Sequence, residues 1–316
     1  MADAVGKVLV TGGAGFIGSH LVDRLLEAGH EVTAVDNLST GKLENIKHNF
    51  HRKDFHFTNC DVRNHECVKG LVEDVDVIFH EAAVTKRVLK PTLIESINVK
   101  GTLNLLEAAV DSNVKRFIFA SSAAVYGHQP MRQREDMQPK PISPYGVSKL
   151  AAENYIRIFH ETYGLQTVCL RYFNVYGPRQ TTESPYSGVI AKFILRLLDH
   201  RPLTIYGDGK QSKDFVHVDD IVDANTLALE NPSADDEFFN IGTGRSTSVN
   251  DLAAMLLKSV RGNCGKILHS KAKPGDIRNS CANITKAQKI IGFKPKRTLG
   301  NELPRLITWY KKNRSL

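Results

Sequence analysis

The residues best suited to do chemistry in this 316-residue chain lie in two stretches, FIFASSAAVYG (117–127) and SPYGVSKLAAENY (143–155). In the second, Tyr145 and Lys149 stand four apart, which puts both side chains on one face of a helix. A free phenol titrates near 10, so a tyrosine serving as a base at neutral pH needs a shift of about three units, or about 4 kcal/mol. A neighbouring cation such as Lys149 supplies part of it. In the first stretch an apolar run ends abruptly on Ser121 and Ser122, hydroxyls that can hold a reacting oxygen. Alone, a Tyr–Lys pair is usually a surface feature, so the elements around it decide its meaning.

Those elements alternate. KVLVT (7–11), EVTAVD (31–36), FHFTN (55–59), VDVIFH (75–80) and RFIFAS (116–121) read as strands, with helices expected over 19–29 and 98–112. Strands alternating with helices, their apolar runs near-continuous, predict a parallel sheet covered on both faces. The expected fold is α/β, a Rossmann-type doubly wound parallel sheet followed by a smaller C-terminal substrate-binding α/β region. Its expected boundaries are a dinucleotide-binding domain at 1–172, with 214–240 returning to it, and a second region at 173–213 and 241–316.

TGGAGFIG (11–18) follows the first strand and opens the first helix. Gly12 suits the tight turn, Gly15 lets the backbone approach a pyrophosphate, and Gly18 permits close helix–strand packing. Asp36 ends the second strand, where a carboxylate binds adenosine ribose hydroxyls and repels a 2′-phosphate. NAD is therefore expected over NADP.

The bulk properties narrow the classes. The net charge of +8 is scattered along the chain apart from short clusters, which predicts an anionic small substrate and no nucleic acid. The five cysteines form no Cys-x-x-Cys pair, predicting reduced thiols, and the twelve histidines show no metal spacing, so no metal is expected. No apolar run approaches a membrane span and no leader pattern precedes the first strand, which predicts a cytoplasmic protein without a membrane partner.

With glycine loop, strand-end serines and Tyr-x-x-x-Lys in order, nearly the whole chain resembles the extended short-chain dehydrogenase/reductase family, in its NAD-dependent epimerase/dehydratase branch. The resemblance implies a catalytic set of Ser122, Tyr145 and Lys149. It implies cofactor contacts at Gly12, Gly15, Phe16, Ile17, Gly18, Asp36, Asn37, Ser39, Thr40, Gly41, Asp61, Val62, Ala82, Asn98, Ser121, Tyr145, Lys149 and Tyr172. A nucleotide-sugar site is implied at Ser122, Tyr145, Asn174, Gly188, Val189, Thr204, Tyr206, Lys213, Lys273, Asp276 and Ser280. Lys213 and Lys273 stand where the family usually carries arginines, which keeps the charge and loses the bidentate fork. The loop 80–91 also reads about three residues shorter than its usual counterpart.

Members of this family begin by oxidising a sugar hydroxyl and differ in what becomes of the ketone. Dehydratases resemble Ser-Thr-Asp-Glu-Val-Tyr-Gly where this chain has Ser121 to Gly127, because elimination needs an extra acid and base. Here the acid positions are Ala123 and Ala124, so the resemblance is closest to the UDP-glucose 4-epimerase group. It implies Tyr145 as base toward the sugar 4-hydroxyl, a transient 4-keto sugar, and a homodimer through helices at 91–110 and 145–162. Ser280 stands where a bulky tyrosine resembles enzymes limited to plain hexoses, so UDP-N-acetylglucosamine is expected as a substrate beside UDP-glucose. A UDP-glucuronate 4-epimerase, an NAD(P)-dependent 4-keto-nucleotide-sugar reductase, and a catalytically silent dinucleotide-binding regulator remain the alternatives.

Overall fold

All five apolar runs of the first half form strands. The computed structural model describes residues 6–85, 90–129, 132–181, 188–260, 266–272 and 277–313. Its strands are β1 (Lys7–Thr11), β2 (Glu31–Asp36), β3 (Phe55–Asn59), β4 (Val77–His80), β5 (Arg116–Ser122), β6 (Gln166–Tyr172), β7 (Asn174–Tyr176), β8 (Leu203–Tyr206), β9 (Ser212–Lys213), β10 (Phe215–His217), β11 (Glu237–Ile241), β12 (Thr247–Ser248) and β13 (Ile267–Ser270). The helices are α1 (Phe16–Glu27), α2 (His65–Val72), α3 (Pro91–Glu95), α4 (Gly101–Asp111), α5 (Pro144–Tyr163), α6 (Val189–Leu198), α7 (Val218–Glu230), α8 (Val249–Ser259), α9 (Thr285–Ile290) and α10 (Leu299–Lys312).

A seven-stranded parallel sheet in the order β11-β6-β5-β4-β1-β2-β3 organises the molecule. The chain winds one way from β1 through β3 and the other way from β4 through β6. The order therefore reverses between β1 and β4, where a crevice opens at the carboxyl ends of the strands. Alternate residues of β1 serve opposite layers. Val8 and Val10 pack with Leu21, Leu25 and Ile221 of α1 and α7, while Leu9 packs with Val68, Leu105 and Ile156 of α2, α4 and α5.

A separate apolar cluster joins α6, α8 and α10 around Phe193, Leu252 and Leu306. Three two-stranded sheets, β10-β7, β12-β9 and β13-β8, frame this later part. The wholly buried Asp214 fastens its loops, its carboxylate accepting from Thr243 N at 2.8 Å, Gly244 N at 2.9 Å and Ala282 N at 3.1 Å. Asn240 of β11 accepts from the Tyr126 hydroxyl at 2.8 Å and donates to the Gln133 carbonyl at 2.9 Å.

Two expectations change. Cys60, just after β3, and Cys67, in the first turn of α2, are joined in a disulfide, with their Cα atoms 6.5 Å apart. The turn between them folds back under an Asn64 cap that accepts from Cys67 N, an approach their spacing in the chain does not announce. Cys169 and Cys281 are free, and Cys264 lies outside the described residues. The helix expected over 98–112 begins earlier, as α3 runs through a π-helical turn, Ser96–Lys100, into α4. Pro91 at the first position of α3 starts it, a place where proline loses no hydrogen bond.

Candidate active site

The glycine loop does what its spacing demands. Gly12 adopts φ +67°, and a Cβ there would meet backbone of Glu81 and Ala82 at about 3 Å. A Cβ on Gly15 or Gly18 would stand 2.9 or 2.2 Å from the Gly12 carbonyl oxygen. No side chain caps α1 and no acidic residue occupies its first turn, so its leading N–H groups remain for an anion.

These residues border a cavity of about 970 Å³ at the strand-order reversal. Gly12, Gly15, Phe16, Ile17, Gly18, Asp36, Asn37, Ser39, Thr40, Asp61, Val62 and Ala82 all line it, and so does Gly188 from the later region. Asp36 accepts from Leu38 N at 2.8 Å and Ala14 N at 3.2 Å, and burial pushes its carboxyl up from the ordinary value. Gly41 sits against that carboxylate, a Cβ on it falling 2.6 Å from Asp36 Oδ2. The Asp61 carboxylate accepts from Asn37 Nδ2 at 2.9 Å and from Arg63, which holds its pKa well below the usual range. The glycine cradle, the free helix N-terminus and the buried acid together fit a dinucleotide.

The three residues expected to be catalytic meet around α5. Ser143 caps this helix, accepting from Gly146 N at 3.1 Å, and Pro144 follows, so Tyr145 lies in the first turn. Gly146 lets the turn settle on the carbonyl of Ala124, which a Cβ would meet at 2.6 Å. Tyr145 is thereby brought close to Ser122. Burial, opposed by the Ser122 hydroxyl, pushes the phenol up to about 12. Lys149 is 2% exposed, its Nζ donating to the Ala120 carbonyl at 2.6 Å and lying 4.4 Å from the Phe119 ring centroid. Burial lowers it to about 8. Ala123 and Ala124 form a 3₁₀ turn after Ser122 and present methyl groups at that point.

Ser121, buried, donates to Glu153, which receives Arg171 Nε at 2.8 Å and Nη2 at 2.7 Å. This buried ion pair fixes the end of β5. Asn98 also works at one remove: it is 1% exposed, accepts from Val84 N at 2.9 Å and donates to the Val84 carbonyl and the Ser148 hydroxyl at 3.0 Å. It clamps the loop after β4 to α5. The Tyr172 hydroxyl donates to Glu81 at 2.7 Å and accepts from Asn225 Nδ2 at 2.7 Å.

The residues expected on the sugar side lie in the later region. Asn174 opens β7 and donates to the Asp214 carbonyl, Val189 begins α6, and Thr204 and Tyr206 lie on β8. Lys213 of β9 donates to the Ile277 carbonyl, and Ser280, buried, donates its N–H to the Ser212 carbonyl at 3.1 Å. Lys273 and Asp276 lie outside the described residues.

Two cavity residues have no signal in the sequence. Arg179 sits at φ +62°, pairs with Asp23 of α1 at 2.8 Å, and carries a buried Nη1 beside the glycine loop with no protein partner among the described residues. Glu81, next to Ala82, is the other. Among the described residues no group of three His, Cys, Asp or Glu could hold a metal, and no helix is long and apolar enough to cross a membrane.

This geometry agrees with what the chain is similar to. Residues 8–242 match the model of the NAD dependent epimerase/dehydratase family. The chain belongs to that family. It is an NAD-dependent enzyme of the extended short-chain dehydrogenase/reductase superfamily. A UDP-glucose 4-epimerase of Mycolicibacterium smegmatis is 37% identical over 96% of this chain and 98% of its own. The structure of UDP-glucose 4-epimerase from Thermotoga maritima with UDP-glucose superposes at a TM-score of 0.92 with 39% identity, covering 98% of this chain and 99% of that one. A UDP-N-acetylglucosamine 4-epimerase from Methanobrevibacter ruminantium, in complex with UDP-N-acetylmuramic acid, reaches 0.92 at 38% identity, covering 97% and 98%.

Proposed function

We propose that the protein inverts C4 of UDP-sugars, interconverting UDP-glucose with UDP-galactose and UDP-N-acetylglucosamine with UDP-N-acetylgalactosamine. The observation that carries the reading is the Ser122–Tyr145 contact beside a turn whose next two residues are alanines. Tyr145 takes the proton of the sugar 4-hydroxyl and Ser122 steadies the same oxygen. NAD, held by the glycine loop and Asp36, would supply the two-electron acceptor and donor for this carbon. Lys149, cationic below about 8, opposes the burial that keeps the phenol protonated. The turn offers no carboxyl group for elimination. The carboxyl that faces Tyr145 from the cofactor side, Glu81, is tied to Tyr172. Inversion then requires the 4-keto sugar to present its other face before reduction.

Ser280 supports the wider substrate range, since a short side chain stands where the family resemblance places a tyrosine in enzymes limited to plain hexoses. A homodimer is supported by apolar side chains exposed along α3 and α5: Leu93, Val147, Tyr155 and Ile158. A panel of UDP-sugars incubated without added cofactor and read by NMR tests the assignment. Inversion at C4 is expected, with Tyr145→Phe reducing turnover by at least about a hundredfold, the lower end of general-base contributions. Ser280→Tyr is expected to remove activity on the acetylated sugars alone. Wild-type turnover by Tyr145→Phe would overturn the role of the phenol, and equal loss on both sugar classes would overturn that of Ser280.

A further inference from the structure

Glu81 is a carboxyl group that proton transfer at C4 does not need. It follows β4 in the crevice, its main-chain N–H donating to the Thr11 carbonyl at 3.2 Å, and its side chain lines the same cavity as Gly12. Its position is enforced. The Tyr172 hydroxyl of β6 donates to Glu81 Oε1 at 2.7 Å, and Asn225 of α7, itself wholly buried, holds that hydroxyl from behind at 2.7 Å. Its charge is felt at the catalytic couple, raising the pKa of both Lys149 and Tyr145 from the facing helix α5. An ionised Glu81 therefore stabilises the Lys149 ammonium and works against a Tyr145 phenolate, an odd arrangement if proton abstraction were the only demand on the site.

The second demand is charge on the cofactor. The oxidised nicotinamide ring is cationic and the reduced ring is neutral, so a fixed charge beside it favours one form. Transfer from C4 brings the ring within about 3.5 Å of the carbon whose hydroxyl meets Tyr145. On that placement Glu81, held by Tyr172, whose backbone pairs with Ser122 across β5 and β6, would border the ring. Without its carboxylate, the Lys149 ammonium would face a cationic ring uncompensated. Burial pushes Glu81 up to about 7, and a cationic ring nearby draws it back toward ionisation.

We infer that Glu81, pinned by Tyr172 and Asn225, makes the site bind the oxidised nicotinamide in preference to the reduced one, so that the resting enzyme stays charged with the form that starts the cycle. This rests on the proposed placement of the nicotinamide beside Tyr145. The test equilibrates holoenzyme at pH 8 with mixtures of NAD and NADH, extracts the bound cofactor, and compares bound with free ratios. No turnover is needed.

Glu81→Gln keeps the acceptor for Tyr172 and removes the charge. It should lower the bound oxidised-to-reduced ratio about tenfold. Tyr172→Phe removes the tether but leaves the carboxyl group, whose pKa then rises, so its ratio should fall by clearly less than that of Glu81→Gln even where both affinities fall. An unchanged ratio in Glu81→Gln would refute the inference, as would a shift in Tyr172→Phe as large as that in Glu81→Gln, which is the signature of a purely structural link. A protein that inverts no UDP-sugar yet shows the Glu81→Gln shift would sink the epimerase assignment and leave this inference standing.

Discussion

Gly146 is the residue whose replacement separates positioning from chemistry. A methyl group there would sit 2.6 Å from the Ala124 carbonyl oxygen and 3.2 Å from its carbon, whereas ordinary contact begins at 3.4 Å. The near neighbours are backbone of a 3₁₀ turn and Pro141 Cβ at 3.0 Å, none of them the end of a flexible side chain. The first turn of α5 therefore has to retreat by about 0.8 Å, carrying Tyr145 away from Ser122. A misplacement of about 1 Å costs on the order of a hundredfold in rate. Gly146→Ala should thus lower kcat between about tenfold and a hundredfold. The methyl touches nothing that binds the nucleotide, so KM and cofactor content should hold within about twofold. Gly70 of α2 is the matched control, with nothing within 4 Å of an added Cβ. Gly70→Ala should keep wild-type kinetics and gain up to about 1 kcal/mol from helix propensity. Steady-state kinetics of C4 inversion together with thermal melts decides it. A Gly146→Ala enzyme within twofold of wild-type kcat would refute the claim that this close approach sets the Ser122–Tyr145 contact.

Lys149→Met should abolish turnover yet raise the stability of cofactor-free protein at pH 7. The folded state holds the lysine near 8 against an ordinary 10.5, so its buried charge opposes folding below pH 8 by roughly 3 kcal/mol. The advantage of the variant should shrink as pH rises from 8 to 10.5, a trend that melts across that range will read, and a variant less stable than wild type at pH 7 contradicts it. Glu153→Gln leaves the buried Arg171 without its counter-charge and should cost about 3 kcal/mol, seen as a lower urea midpoint. Turnover should fall with it because the ion pair that holds the end of β5 is weakened, and a midpoint equal to wild type counts against this role for the pair.

Much of the frame was legible because it obeys local rules. β1, β2, β4 and β5 are largely buried runs while the edge strand β3 is mostly part-exposed, and the glycine spacing encodes a turn geometry that other residues cannot adopt. The Tyr145–Lys149 face follows from helix periodicity alone. What escaped depends on contacts between distant segments. Glu81 gains its place from Tyr172 and Asn225, on elements far along the chain, and Arg179 gains its place from Asp23. Asn98 reads as a cofactor contact in sequence, yet a π-helical turn aims it at Val84 and Ser148. The Cys60–Cys67 bond needs the intervening turn to fold back, and no spacing rule announces that.

The fastening of the later region to the sheet limits how the enzyme can choose its substrates. Asp214 ties two backbone segments, at 243–244 and at 282, to its own, and Asn240 joins β11 to Tyr126, a neighbour of the serine turn. With the sugar side riveted to the catalytic strand, the chamber in which a keto sugar must reverse its face has walls of nearly fixed spacing. On the proposed reading, discrimination among sugars would turn on individual side chains such as Ser280. Substrate range in such an enzyme should shift in discrete steps, one residue at a time, with little change in the machinery of Tyr145 and Ser122.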